Sequence, residues 1–198
     1  MWRISRRALF WGKVLLHVAA ALPIALLVLA VYRDDAGGDP VQYIIHFLGK
    51  GALNLLLLTL VVSPVAAWTK QGMLVQLRRP LGLWTFCYAC LHLLAYISLD
   101  LLFAWQLLLQ EVIKRPYIVV GACAWLILLA LALTSFKAAQ RRMGKRWQQL
   151  HYGIYPAVLL VTIHYYWSVK SEIIEPSLYI LLALLLLSFR LRKFSRKV

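Results

Sequence analysis

Six apolar runs, separated by short polar or charged segments, dominate the pattern along the chain. They cover about residues 10–32, 44–68, 81–102, 117–136, 150–169 and 177–191. A helix needs roughly 20 apolar residues to cross a bilayer, and its backbone polar groups must be satisfied within the segment, so each run predicts a spanning helix. The first run follows a basic lead-in but is longer than a signal-peptide core, which indicates a retained helix. The sequence therefore predicts an all-α polytopic membrane protein, residues 1–198 forming a single domain of six transmembrane helices.

The composition excludes a soluble catalytic domain. Of the 198 residues, 63% are hydrophobic and 15% are charged, whereas a soluble domain carries roughly 25% charge. The formal net charge of +15 suggests nucleic-acid binding in a soluble protein. Here the cations sit in clusters between apolar runs, so no nucleic-acid partner is expected and the lipid bilayer is the surrounding medium.

The placement of Lys and Arg predicts the orientation, because cytoplasmic loops carry the excess of these residues. One side of the predicted membrane holds seventeen of them: Arg3, Arg6, Arg7, Lys13, Lys70, Arg78, Arg79, Lys137, Arg141, Arg142, Lys145, Arg146, Arg190, Arg192, Lys193, Arg196 and Lys197. The other side holds Arg33, Lys114, Arg115 and Lys170 together with all seven acidic residues, and Lys50 falls within the second run. Both termini are therefore predicted to be cytoplasmic, which an even number of spans satisfies. The outer segment 100–116 is predicted to form a short amphipathic helix on the membrane surface.

The five histidines, at positions 17, 46, 92, 151 and 164, all fall within or beside apolar runs. Ionisable side chains at membrane depth are costly, so such a group indicates a functional site. At about 1.5 Å per helical residue, His92 lies roughly 12 Å inside the outer boundary and His164 roughly 9 Å inside it. Two histidines at similar depth on separate helices can ligate an iron from opposite faces of a macrocycle, which predicts haem b held by His92 and His164.

Zinc is the competing metal, but it takes about four N, S or O ligands, and no carboxylate or cysteine converges at this depth. Bis-histidine ligation leaves iron no open position for a substrate. The expected chemistry is therefore outer-sphere electron transfer.

His151 lies near the cytoplasmic boundary, thirteen residues before His164. In a straight helix this spacing separates the two by about 20 Å and rotates the side chain by about 140°. Pro156 lies between them and predicts a kink that alters this phase.

Two interpretations of His151 remain open. His17, at comparable depth, could complete an inner bis-histidine haem. Alternatively, His151 with Arg78 and Arg79 could serve a flavin phosphate or a quinone headgroup, since arginine pairs well with phosphate. His46 is interpreted as structural.

Several motifs resemble the MsrQ (YedZ) family, the membrane subunits of bacterial protein-methionine-sulfoxide reductase systems. They are the run RRPLGLW at 78–84 leading to Leu91-His92, GKRWQQLH at 144–151, and IHYYWSVK at 163–170. Asp39-Pro40, His46-Phe47 and the segment 115–117 match as well. The similarity extends over nearly the whole chain.

The resemblance implies a six-helix ferric-reductase-like domain in the bacterial inner membrane that binds haem b and FMN. It implies that electrons pass from the quinone pool to the periplasmic molybdopterin enzyme MsrP, which repairs methionine sulfoxide in envelope proteins. It also makes His92, His151 and His164 the haem-associated histidines. The wider ferric reductase and NADPH oxidase group has two histidines in each of the third and fifth helices. Arg78 or Arg79 stands where the other third-helix histidine is expected, which argues against a second, fully bis-histidine haem.

Those distant relatives also append an FAD and NADPH domain, whereas this sequence has no Gly-x-Gly-x-x-Gly after a strand and no self-contained substrate-reducing domain is expected. The electron donor is therefore expected to be lipid-soluble, flavin-bound or another protein. The rival hypothesis is a small transporter or assembly scaffold, in which the membrane histidines conduct protons or pack.

Overall fold

The computed structural model describes residues 4–169 and 172–195, which fall into two compact units, Met1–Trp105 (unit 1) and Gln106–Val198 (unit 2). Every regular element in these described ranges is helical, which confirms the all-α prediction. Four of the cations used to predict the orientation lie outside the described residues: Arg3, Lys170, Arg196 and Lys197.

Unit 1 consists of long helices. They are α1 (Arg6–Tyr32), α2 (Pro40–Trp68), a 3₁₀ helix (Gly72–Leu77), α3 (Arg78–Ala95) and a π-helical turn (Tyr96–Asp100). The first two begin before the apolar runs because the chain offers capping residues there. The Ser5 hydroxyl accepts from the Ala8 amide at 3.1 Å, and the Asp39 carboxylate accepts from the Gln42 amide at 3.0 Å, with Pro40 at the first helical position.

The principal packing in unit 1 joins α2 and α3 as an antiparallel pair. Ile45 and Gly49 of α2 lie against His92, and Gly51 lies against Tyr88, so residue numbers rise on one helix as they fall on the other. The buried cluster around this pair includes one residue of α1 and consists of Leu27, Ile45, Leu48, Ala52, Tyr88 and Ala95.

Tyr88 fastens α1 to this pair. Its side chain is 2% exposed, and its hydroxyl donates to the Ala20 carbonyl of α1 at 2.8 Å. Gly51 makes the approach possible, because a Cβ at that position would lie 2.5 Å from the Tyr88 ring. One tyrosine therefore holds three helices together.

Charges separate between the two ends of unit 1. Lys13 donates to Gln76 at 3.1 Å and the Ile4 amide donates to Gln71 at 3.0 Å, so the starts of α1 and α3 lie at the same end. The carboxylates lie at the other end of these helices. Asp34 and Asp35 follow α1, Asp39 precedes α2, and Asp100 ends the π-helical turn. The alternation of charge found in the sequence is thus present in the folded unit.

Unit 2 has shorter helices. They are α4 (Trp105–Lys114, which starts on the last residue of unit 1), α5 (Pro116–Leu133), α6 (Lys137–Met143), α7 (Lys145–His151), α8 (Ile154–Ser168) and α9 (Ile174–Ser195). The helix predicted within 100–116 is confirmed as α4. α5 packs antiparallel to α8, and α8 packs on α9. Gly144, with φ of 54°, supplies the left-handed turn between α6 and α7.

The predicted fifth span is interrupted at Tyr152 and Gly153. Pro156 explains the break, since it has no amide hydrogen to donate to the Tyr152 carbonyl and its ring clashes with a carbonyl four residues back. The Tyr155 amide donates to Tyr152 instead, at 3.0 Å. The straight-helix spacing between His151 and His164 therefore does not apply.

Four segments among the described residues are long and apolar enough to cross a membrane: Arg6–Tyr32, Pro40–Trp68, Gly72–Asp100 and Pro116–Leu133. Ile174–Phe189 is a shorter apolar helix, and α8 has 15 residues. The first four predicted spans are thus matched, and the six-span count stays a prediction.

Candidate functional site

His92 is held by the backbone of the neighbouring helix. Its Nδ1 lies 2.9 Å from the Ile45 carbonyl oxygen of α2, and the side chain is half-buried. A carbonyl oxygen can only accept, so Nδ1 carries the proton and Nε2 carries the lone pair. This is the tautomer in which a histidine offers Nε2 to a metal.

Gly49 provides the space for this arrangement. It lies one helical turn after Ile45, and a Cβ built on it would be 3.2 Å from both Nδ1 and Cε1 of His92. That distance is tighter than an ordinary van der Waals contact, so the imidazole lies against a helix surface that has no side chain.

His164 in unit 2 has the same surroundings. Its Nδ1 lies 2.7 Å from the Tyr117 carbonyl oxygen of α5, which again fixes the proton on Nδ1. Gly121 follows Tyr117 by one turn, and its Cβ would be 2.7 Å from Nδ1 and 2.8 Å from Cε1. The Tyr117 ring lies 5.9 Å from the imidazole.

His151 is held differently, by the backbone of Trp147 in its own short helix and by that of Leu131 in α5. Its Nδ1 lies 3.0 Å from the Trp147 carbonyl, and its ring stacks on the Trp147 indole with 3.8 Å between centroids. The indole nitrogen in turn donates to the Thr134 carbonyl at 2.8 Å. Because two backbone groups act on this ring, its tautomer is not fixed as those of His92 and His164 are, and no glycine of a neighbouring helix lies against it among the described contacts.

His17 has the opposite tautomer. The Trp84 indole Nε1 donates to its Nδ1 at 2.8 Å, so a neutral His17 carries its proton on Nε2. This arrangement disfavours His17 as the inner haem ligand that the sequence left open. His46 is exposed on α2 and lines a cavity of about 530 Å³ with Gln42, Tyr43, Phe47 and Lys50.

Arg78 and Arg79 begin α3 at the cationic end of unit 1. Arg78 is half-buried with a fully buried Nε, whereas Arg79 is exposed. Both lie about 20 Å from His92 along the same helix, since they stand thirteen and fourteen positions before it. The two arginines and His92 therefore belong to different ends of the unit.

Sequence reasoning found the histidines but missed Gly49 and Gly121. A signal was present, because each glycine interrupts an apolar helical run and each precedes a candidate histidine by 43 residues, 49 to 92 and 121 to 164. The carbonyl partners Ile45 and Tyr117 precede those histidines by 47 residues.

No group of three or more His, Cys, Asp or Glu able to hold a metal ion occurs within the described parts of the chain.

A family model described as "Ferric reductase like transmembrane component" matches residues 48–162, more than half of the chain. The match includes His92, His151, Gly49 and Gly121 and stops two residues before His164. With its apolar helices, the chain falls in the ferric-reductase-like class of transmembrane proteins.

Two more specific relatives come from Salmonella paratyphi B and Salmonella heidelberg. Each is named "Protein-methionine-sulfoxide reductase heme-binding subunit MsrQ" and is 48% identical to this chain over 193 residues, which is 97% of this chain and 97% of the relative. The chain therefore belongs to the MsrQ family.

Proposed function

We propose that this chain is the haem-binding, electron-transferring membrane subunit of a protein-methionine-sulfoxide reductase system, with His92 and His164 as the axial ligands of haem b. The names of its MsrQ relatives support haem binding and the reductase system. The observation that carries the ligand assignment is the paired environment of the two imidazoles, each with Nδ1 on a carbonyl of a neighbouring helix.

The residues fit the requirements of haem ligation. A metal-ligating histidine almost always donates its second ring N–H to a carbonyl or carboxylate, which fixes the ring and raises its basicity. The carbonyls of Ile45 and Tyr117 do this for His92 and His164. Haem b with two imidazole ligands supplies reversible one-electron chemistry at iron and keeps no open position for substrate.

His151, Arg78 and Arg79 are proposed to serve the electron-entry side. The guanidinium groups would pair with an FMN phosphate, and their position at the cationic start of α3 supports this role. His151 is proposed as a second haem-associated ligand or as the partner of a quinone headgroup, and the Trp147 carbonyl and indole orient its ring for either role.

The proposed setting is the bacterial inner membrane, with six spans in a single domain and both termini cytoplasmic. The separation of cations and carboxylates between the ends of unit 1 supports this orientation. Electrons would pass from the quinone pool, through FMN, to a periplasmic MsrP-like molybdopterin reductase, as the MsrQ family resemblance implies.

The test begins with the purified full-length protein. A pyridine haemochrome assay and a flavin count per polypeptide measure both cofactors, and Arg78→Gln with Arg79→Gln is expected to lower the flavin content only. His92→Ala and His164→Ala are each expected to abolish the low-spin haem spectrum, because loss of one axial imidazole leaves a five-coordinate or water-ligated iron. His46→Ala is the matched control, since this exposed histidine is expected to leave the spectrum unchanged.

Two outcomes contradict the proposal. An unchanged low-spin spectrum in either His92→Ala or His164→Ala refutes the axial pair. A colourless, well-folded protein from cells supplied with ample haem refutes the electron-transfer function and favours the transporter or scaffold.

A further inference from the structure

We infer that Gly49 and Gly121 are positioning residues for the two haem-ligand imidazoles. The inference rests on the proposed function and deepens it. A bare Cα at each position lets Nδ1 of the histidine on the neighbouring helix reach a backbone carbonyl, and this contact fixes the proton on Nδ1 and leaves the lone pair on Nε2 for iron.

The contacted carbonyls are inside regular helices. In an α-helix the carbonyl of residue i accepts from the amide of residue i+4, so the Ile45 oxygen serves Gly49 and the Tyr117 oxygen serves Gly121. Each oxygen has a second lone pair, and a histidine of another helix can use it only by lying over residue i+4. A side chain at that residue covers the approach, and glycine leaves it open.

The measured clearances agree with this role. A Cβ would lie 3.2 Å from His92 at position 49 and 2.7 Å from Nδ1 of His164 at position 121. By contrast, a Cβ at Gly12 of α1 or Gly82 of α3 would meet nothing within 4 Å. A helical glycine of this chain is therefore not crowded by default, and at positions 49 and 121 the group that a Cβ would meet is the ring of a proposed ligand.

The arrangement occurs twice, in helix pairs of different units. Carbonyl, glycine and histidine stand at 45, 49 and 92 in the α2–α3 pair and at 117, 121 and 164 in the α5–α8 pair. Glycine destabilises a helix interior relative to alanine, so helix stability does not account for either residue. The common factor is the imidazole above each glycine.

The experiment compares Gly49→Ala and Gly121→Ala with the controls Gly12→Ala and Gly82→Ala in the full-length protein. Haem affinity is measured by titration with haemin, and ligand geometry by electron paramagnetic resonance of the low-spin ferric state together with the reduction potential. Disturbing the hydrogen-bond partner of a metal ligand typically weakens binding by about 10-fold or more. We expect such a loss in both test variants, larger for Gly121→Ala because its clearance is smaller, with shifted low-spin signals and unchanged controls.

A second comparison keeps the inference testable if Gly121→Ala folds poorly. In a His164→Ala background the added methyl group at position 121 has no ring to meet. In haem-free protein, Gly121→Ala is therefore expected to lower the thermal midpoint in the wild-type background and to leave it unchanged or raised in the His164→Ala background. Equal destabilisation in both backgrounds overturns the inference, as do haem affinities and low-spin signals in the test variants that match those of the controls. These results leave the proposed function standing, since that depends on His92→Ala and His164→Ala losing the low-spin spectrum.

Discussion

Gly51→Ala is expected to destabilise unit 1, although alanine ordinarily stabilises a helix relative to glycine. A Cβ at Gly51 lies 2.5 Å from Cδ1 and Cε1 of Tyr88. The Tyr88 side chain is 2% exposed, and its hydroxyl is bonded to the Ala20 carbonyl of α1. The ring therefore has no open space into which it can retreat.

Three contributions set the size of the effect. Moving the ring out to an ordinary contact of at least 3.4 Å overpacks a filled site, which costs about 1–3 kcal/mol. Weakening the hydroxyl bond to Ala20 costs about 1 kcal/mol more. The helix propensity of alanine offsets about 1 kcal/mol. The free energy of unfolding is thus expected to fall by about 1–3 kcal/mol.

The assay is thermal unfolding of the detergent-solubilised, haem-free protein, followed by far-ultraviolet circular dichroism. Haem is left out because a bound ligand itself raises the apparent stability. Gly12→Ala is the matched control, since its Cβ meets nothing within 4 Å and it should unfold at or above the temperature of the unmodified chain. If Gly51→Ala is as stable as this control, or if its cost persists when Tyr88 is replaced by Ala, the ring contact is not the cause.

Two further predictions concern unit 2. Trp147→Phe removes the indole hydrogen bond to the Thr134 carbonyl and is expected to lower the free energy of unfolding by about 1 kcal/mol. The control Trp167→Phe, on a half-exposed indole, is expected to change this free energy little. Equal effects of the two substitutions in a denaturation series contradict the prediction. Pro156→Ala restores an amide that can donate to the Tyr152 carbonyl. Hydrogen exchange is therefore expected to show new protected amides across the junction of α7 and α8. An unchanged exchange pattern contradicts the explanation of the break.

The positions of the helices could be predicted from the sequence because a bilayer leaves the backbone few alternatives. Each apolar run coincides largely with one helix except the fifth, which is divided between α7 and α8, and α4 appears in the amphipathic segment before α5. The boundaries differed where local chemistry extends a helix, as Ser5 and Asp39 do by capping α1 and α2. The break before α8 was signalled by Pro156, but its location four residues earlier depends on the backbone partners available there.

The candidate site was only half visible in the sequence. Residue type and depth single out His92 and His164, because imidazoles in apolar runs are unusual. The ring tautomers and the role of Gly49 and Gly121 could not be derived, since they depend on carbonyls 47 residues away that meet the rings only after the helices pack.

The shortness of α8 has a consequence for the lipid around it. With 15 residues it is about 22 Å long, against a hydrocarbon core of roughly 30 Å. At the break, the Tyr152 and Gly153 amides stay bonded to carbonyls of the preceding turn, which lowers the cost of placing this stretch in apolar surroundings. As the proposed fifth span, α8 would make bilayer thickness a variable for this protein: shorter acyl chains would match it directly, whereas a thicker membrane would have to thin locally or draw the junction with α7 below its surface.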